Sequence, residues 1–327
     1  MSAESNRAAS PLGVLFVNLG SPSAPTPAAV HAYLEEFLSD PMVVDLPRWR
    51  WALVRRLFIL PLRASKSAAL YRKVWTDEGA PLVVFSRRFA AALARALGPA
   101  YRVALGMRYG EPALTDALAE LRDARCERVL VFPAFPQQSR TTTGTAVLEV
   151  GRALRTLAWA PSLGVLAPYF ADAGFVRAWA ARVRAARAED EHVVFSFHGL
   201  PVRYVEEGDP YRDHCEATAR ALAAELGLAP GRWTLVYQSR FGREPWLEPE
   251  AARVVPELAA AHERLVIAAP SFPCDCLETL EELGLRLAED CARAGGTLTV
   301  VPCLNDQEEW VAAAAELVRA SSAGRAP

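Results

Sequence analysis

Short, nearly continuous apolar runs alternate along this chain with longer amphipathic stretches rich in alanine. The runs near residues 12–18, 101–107, 128–133, 163–167, 192–197, 233–238, 264–269 and 297–302 read as strands. They lack the polar alternation of half-exposed strands, so they predict strands buried in parallel sheets. The segments between them follow a helical period, as in Ser86 to Leu97, Asp172 to Arg187 and Asp213 to Leu226. Strands alternating with helices in this way predict an α/β protein.

The chain also resembles itself. Asn18-Leu-Gly-Ser-Pro22 is similar to Phe197-His-Gly-Leu-Pro201, Arg108-Tyr-Gly-Glu-Pro112 to Arg240-Phe-Gly-Arg-Glu-Pro245, and Pro133-Ala-Phe-Pro136 to Pro270-Ser-Phe-Pro273. The last two pairs share nearly one offset, as duplicated domains require. The first pair is offset much further, which places an insertion between the first two strands of the first half. That insertion falls on an unusual stretch, Leu46 to Thr76, which contains no acid. It carries Arg48, Arg50, Arg55, Arg56, Arg63, Lys66, Arg72 and Lys73 interleaved with Trp49, Trp51, Leu53, Leu57, Phe58, Ile59, Leu60 and Leu62. A helix apolar on one face and arginine-rich on the other reads as a lip for a membrane surface or a flat ligand. The competing reading is a helix packed on the core with a solvated basic face.

Composition narrows the function classes. The chain has 327 residues, 52% hydrophobic and 23% charged, enough for a large core and two domains. A net charge of −2 excludes a nucleic-acid signature. The six cysteines are irregularly spaced and no secretory leader precedes them, so reduced thiols and a cytoplasmic location are expected. No apolar run reaches membrane-spanning length. The polar stretch Met1 to Arg7 is expected to fray. Neither a Walker A loop nor G-x-G-x-x-G occurs, so nucleotide binding is unsupported.

Candidate chemistry gathers at strand carboxyl ends, where open α/β sheets bind ligands. His198 follows the 192–197 run and precedes Gly199 and Pro201, which turn the chain; its imidazole suits proton transfer or metal ligation near neutrality. Asp275, Glu278 and Glu282 are spaced to share one helical stripe. A helix cap and its capping-box partner would explain the first two, but stacked like charges are better explained by a cation path or proton drain. Cys274 and Cys276 lack a second close pair and are expected to be unligated. Arg108-Tyr109, Phe135-Pro-Gln-Gln-Ser139, Gln238-Ser-Arg240 and Pro245-Trp-Leu247 mix aromatic faces with polar hooks, which suits a flat ligand bearing carboxylates.

Taken together, Val17-Asn-Leu-Gly-Ser-Pro22, Gly106-Met-Arg-Tyr109, Phe135-Pro-Gln-Gln-Ser139, Thr142-Thr-Gly144, Ser196-Phe-His-Gly-Leu-Pro201, Tyr237-Gln-Ser239, Pro245-Trp246, Asp275-Cys-Leu-Glu-Thr-Leu280 and Pro302-Cys-Leu-Asn-Asp306 resemble the ferrochelatases. These enzymes insert ferrous iron into a porphyrin. The resemblance runs from Gly13 to Trp310 and implies two similar Rossmann-like domains with parallel four-stranded sheets and a ligand cleft between them. It sets expected bounds of 10–165 for the first domain with a lip at about 40–75, 166–304 for the second, and 305–322 for a helix packing back on the first. It implies His198 as the essential histidine facing the pyrrole nitrogens and Glu278 as the opposed carboxylate, both as metal contacts, with Asp275 and Glu282 continuing an acidic path. Leu19, Arg63, Tyr71, Arg108, Tyr109, Ser239 and Trp246 match positions near the porphyrin or its propionates. Peripheral membrane contact through 46–62 is implied from some members.

Three departures refine the expectation. Cys276 stands where some members have a histidine. Arg140 stands where cluster-bearing animal enzymes have a cysteine, and the sequence ends at Pro327 without their cysteine-rich tail. No iron–sulfur cluster or other permanent cofactor is therefore expected, with Fe2+ as substrate. Leu19 stands where coproporphyrin-using members have tyrosine, which favours protoporphyrin IX. The rivals are a coproporphyrin ferrochelatase, a cobalt chelatase of the same fold, and a non-catalytic haem or porphyrin carrier.

Overall fold

The computed structural model describes residues 10–188 and 190–323; the terminal stretches, Met1 to Arg7 and the end at Pro327 among them, lie outside the described residues. The first half contains β1 (Leu12–Gly20), α1 (Pro27–Ser39), α2 (Arg48–Val54), α3 (Leu60–Val74), α4 (Pro81–Leu97), β2 (Tyr101–Tyr109), α5 (Leu114–Asp123), β3 (Arg128–Pro133), α6 (Thr145–Thr156) and β4 (Ser162–Val165). The second contains α7 (Ala173–Ala186), β5 (His192–His198), α8 (Val202–Glu206), α9 (Tyr211–Glu225), β6 (Trp233–Gln238), α10 (Ala251–His262), β7 (Arg264–Ala268), α11 (Ala288–Arg293), β8 (Thr297–Val300) and α12 (Glu308–Ala323). Segments Arg55–Ile59, Arg140–Gly144 and Glu278–Leu287 are π-helical.

Two parallel four-stranded sheets result, ordered β2-β1-β3-β4 and β6-β5-β7-β8. The order is the same in both, as the internal repeat predicts. The central strands are sealed on both faces: Val14, Leu15 and Val17 in β1, and Val193, Val194, Phe195 and Phe197 in β5, have no exposed surface. This is why their sequences do not alternate. Each order reverses beside its central strand, so the switch-point crevices open beyond Gly20 and beyond His198.

A glycine pressed against the neighbouring strand ends β1 and follows β5. A Cβ on Gly20, whose φ is +111°, would lie 1.8 Å from the Tyr109 carbonyl oxygen; one on Gly199 would lie 2.9 Å from that of Gln238. The loops after the edge strands also correspond, because Met107 N–H donates to Pro112 O (2.7 Å) and Tyr237 N–H to Pro249 O (2.8 Å). The structural partner of Pro112 is thus Pro249, not Pro245 as the motif suggests. The second loop is the longer one, and its extra length carries Phe241 and Trp246.

The halves share one apolar core. Phe16, Phe89 and Phe132 of the first half cluster with Phe195 and Phe197 of the second. Helix α12 packs on α4 and α7 and inserts Trp310, 1% exposed, stacked on Phe89 and Tyr169 at 5.7 Å each.

The lip segment bears on the competing reading of a helix packed on the core. Residues 48–74 form one continuous helical run, widened by the π-turn just before Pro61, which has no N–H to offer the preceding turn. Large apolar side chains of its first part face solvent: Trp49, Leu57, Phe58 and Leu62 are 59–69% exposed, whereas Leu60, Ala64 and Ala68 are buried. Arg55 is buried as well, paired with Glu35 at 2.9 Å. The stretch 49–62 is therefore not packed on the core by most of its large apolar residues.

Away from the crevices, His192 opens β5, stacked on His262 with ring centroids 4.5 Å apart and its Nε2 2.9 Å from Thr234 Oγ1. Burial, then the neighbouring His262 and Arg232, push its pKa down to about 4. The fold therefore excludes a proton that the unfolded chain accepts below about 6.5. Stability should fall by about 3 kcal/mol as pH drops from about 6.5 to 4. The gap in urea-derived stability between the wild type and His192→Leu should narrow over that window; a pH-independent gap would count against it.

Candidate functional site

His198 is the last residue of β5, in register with Gln238 of β6. Its backbone N–H donates to Ser271 Oγ at 3.2 Å, and its ring Nδ1 lies 2.6 Å from Gly199 O. A carbonyl can only accept, so Nδ1 carries the ring proton and Nε2 presents a lone pair. The ring is half-buried, tilted toward Phe272 with centroids 6.2 Å apart. Gly199 lets Trp246 close over the turn: a Cβ there would meet the Trp246 ring at 3.0 Å. Pro201 and Trp246 form an antiparallel bridge. The buried Trp246 indole nitrogen has no partner among the described residues.

The acidic segment is not the α-helix that its spacing suggests. Glu278–Leu287 is a ten-residue π-helix, whose i→i+5 bonding regroups the side chains. Glu281 and Arg286, five apart, pair at 2.7 Å. Each carboxylate then has its own fate. Asp275, 5% exposed, accepts from Asn305 Nδ2 at 2.7 Å, Thr279 Oγ1 at 2.9 Å and Cys303 N–H at 3.3 Å. It locks the turn before the helix. Glu282 accepts from Ser239 N–H at 2.8 Å and Ser239 Oγ at 2.6 Å. This holds Ser239, a non-glycine residue at φ +63°, in the left-handed region. Glu281 is fully buried, with Lys73 at 3.1 Å and Arg286 as counter-charges.

Glu278 alone of the four has no cationic or main-chain partner among the described residues. Its carboxylate bonds the Cys276 thiol, whose pKa burial and then Glu278 itself push up. Its main chain is fixed by a relay: Ser196 Oγ donates to Gln238 Oε1 at 2.8 Å, and Gln238 Nε2 to Glu278 O at 3.1 Å. Across from it stand two phenols of the first half, Tyr71 of α3 and Tyr33 of α1. Burial raises both pKa values and Glu278 adds to each. Tyr33 was not anticipated. Its OH donates to Gly20 O at 3.2 Å, and nothing in its local sequence signals that contact.

The remaining candidates divide into two groups. Leu19 is half-buried at the end of β1, and Arg63 of α3 lies over the Phe241 ring at 4.0 Å, bridging lip and second half. Arg108 and Tyr109 instead serve Asp40, another residue the sequence did not signal. Tyr109 is fully buried and donates to Asp40 Oδ2 at 2.9 Å. Arg108 pairs with the same carboxylate and donates to Thr145 Oγ1 at 2.7 Å. Burial alone would raise the Asp40 pKa, but bonds from Thr145, Met42 N–H and Tyr109, and the Arg108 charge, lower it. Tyr109 thus cannot touch a ligand in this arrangement. Cys274 and Cys276 are free and buried, like the other four cysteines. Among the described residues, no group of three or more His, Cys, Asp or Glu could hold a metal ion.

Comparison with known proteins bears on the family and the fold. The Ferrochelatase family profile matches residues 11–322. The ferrochelatase of Nitrosococcus oceani is 43% identical over 315 residues, covering 94% of this chain and 86% of the relative. That of Thioalkalivibrio sulfidiphilus is 44% identical over 317 residues, with the same coverages. Among solved structures, SirB from Bacillus subtilis with Fe3+ superposes with a TM-score of 0.56 over 96% of this chain and 98% of that chain, at 13% identity, a likeness of fold.

The Ser239–Glu282 clamp is testable. Glu282→Ala should cost about 1–3 kcal/mol, measured by urea unfolding, because it frees a strained, half-buried turn. In a Ser239→Gly background the same substitution should cost clearly less. Equal costs in both backgrounds would mean the clamp restrains nothing.

Proposed function

Because this chain belongs to the ferrochelatase family, we propose that the crevice between its halves binds protoporphyrin IX and inserts Fe2+ to give protohaem, the last step of haem biosynthesis. The protein is a metal chelatase of the lyase class. Two observations support the detailed reading: a histidine whose Nδ1 is engaged by Gly199 O, and a carboxylate that bonds a thiol and has no cationic partner among the described residues.

Insertion replaces two pyrrole N–H protons with one dication, so the site must accept protons while a cation arrives. His198 Nε2 takes a pyrrole proton as a general base, work that typically contributes about 10²–10⁴-fold. Glu278 supplies a negative charge near which Fe2+ sheds water, or takes the second proton. The Trp246 and Phe272 rings and Leu19 offer apolar faces to the macrocycle, and strain imposed on a bound ring would expose the pyrrole lone pairs. Arg63 answers propionate charge at the mouth; burial lowers its pKa, yet a guanidinium remains charged at neutral pH. Leu19 has no hydroxyl for an additional carboxylate, which supports protoporphyrin over coproporphyrin. No permanent cofactor is proposed. Arg140, at the position of the animal cluster cysteine, pairs with Glu207 at 2.7 Å and Asp45 at 3.1 Å.

No helix among the described residues is long and apolar enough to cross a membrane. The exposed Trp49, Leu53, Leu57, Phe58 and Leu62 support a lip (46–62) that rests on a lipid surface from the cytoplasmic side.

In a porphyrin fluorescence assay with Fe2+ or Zn2+, the wild type should consume many equivalents of protoporphyrin and fewer of coproporphyrin. His198→Ala should lower turnover at least about 100-fold while porphyrin affinity stays within about threefold. Stoichiometric binding without turnover by the wild type would instead identify a carrier. For the lip, Leu57→Glu with Phe58→Glu should reduce sedimentation with anionic vesicles severalfold; unchanged sedimentation would remove the lipid reading.

A further inference from the structure

We infer that Lys73 and Glu281 are a positioning pair that sets the distance between the lip helix and the π-helix, and so holds Glu278 at its working place. The inference rests on the role proposed above for Glu278. Lys73 Nζ meets Glu281 Oε1 at 3.1 Å across 208 residues of sequence, joining α3 of the first half to the π-helix of the second. Glu281 has no exposed surface, while Lys73 is 49% exposed, so the ammonium caps a buried charge from the solvent side.

The surroundings tie this contact to the site. Tyr71, two residues before Lys73, faces Glu278, three residues before Glu281, closely enough that the carboxylate raises the pKa of the phenol. The cross-bridge and the Tyr71–Glu278 approach are therefore made by the same two helices within about one turn of each other. A second contact between α3 and the second half, Arg63 over Phe241 of the loop after β6, lies further up α3. A carboxylate buried in a π-helix is under strong pressure to regain compensation when a counter-charge is removed. Without Lys73 the helix can relieve that pressure by rolling Glu281 outward, and Glu278 would move with it. Arg286 compensates the same carboxylate from its own helix and makes no bridge to the first half.

That difference supplies the test. Lys73→Met, Lys73→Arg, Arg286→Met and Glu278→Gln are compared in the full chain, with Zn2+ and protoporphyrin as probes. Lys73→Met should lower kcat about tenfold, in keeping with the sensitivity of catalysis to small displacements, while porphyrin affinity changes less than twofold. Lys73→Arg should keep at least half of the wild-type kcat, and Arg286→Met should lose at least threefold less than Lys73→Met. Lys73→Gln is carried in parallel so that poor folding of the methionine variant does not decide the result. Wild-type kcat in the Lys73 variants, or equal losses for Lys73→Met and Arg286→Met, would overturn the inference. So would a loss explained by weaker porphyrin binding or a lowered Tm. Full activity of Glu278→Gln would instead remove the reading on which it rests, whatever the Lys73 variants do.

Discussion

The structure depends on one continuous core that joins the two parallel sheets through α4, α7, α9 and α12. Trp310 in that core, stacked on Phe89 and Tyr169, anchors a helix from the far end of the chain. Truncating such a buried indole typically costs about 3–5 kcal/mol. Here it would also loosen the mutual setting of β1 and β5, whose carboxyl ends supply Leu19 on one side and His198 on the other. The placement of His198 is thus a consequence of packing remote from it.

Around that frame, polar groups are divided between those that hold the site and those left free to act. Asp275, Glu281 and Glu282 are held by several donors or counter-charges, each fixing a different piece: the turn into the π-helix, the bridge to α3, and the left-handed Ser239. Their restraint leaves Glu278 without a competing cation among the described residues. The histidine follows the same logic, since the bond from Nδ1 to Gly199 O fixes both ring orientation and tautomer.

Much of this was legible in the sequence because it is written in periodicity. Uninterrupted apolar runs predict strands buried on both faces, and the repeated Gly/Pro turns announce duplicated sheets of the same order. His198 and the acidic segment stand out because they follow such runs. The partners of each carboxylate were not legible. Asp275 is occupied by Asn305 and Cys303, about thirty residues away, and the i→i+5 winding of Glu278–Leu287 leaves no mark in a pattern that fits an α-helix equally well. Asp40 escaped notice for a similar reason: its role is created by Arg108, Tyr109 and Thr145, remote in sequence, and nothing around Asp40 foretells them.

The lip shows how one segment answers two demands. Its inner side meets the protein through Leu60, Ala64 and Ala68 and through charge: Arg55 to Glu35, Lys73 to Glu281, Arg63 over Phe241. Its outer side carries the large apolar residues Trp49, Leu57, Phe58 and Leu62. A wide π-turn before Pro61 lets the run 48–74 bend while remaining one helix, so that apolar surface and inward cations share a continuous element. A poorly soluble, flat macrocycle arriving along a lipid surface would meet this apolar edge first and the fixed charges of Arg63 and Glu278 afterwards. Such an order places desolvation of the ring before the chemistry that needs its nitrogens bare.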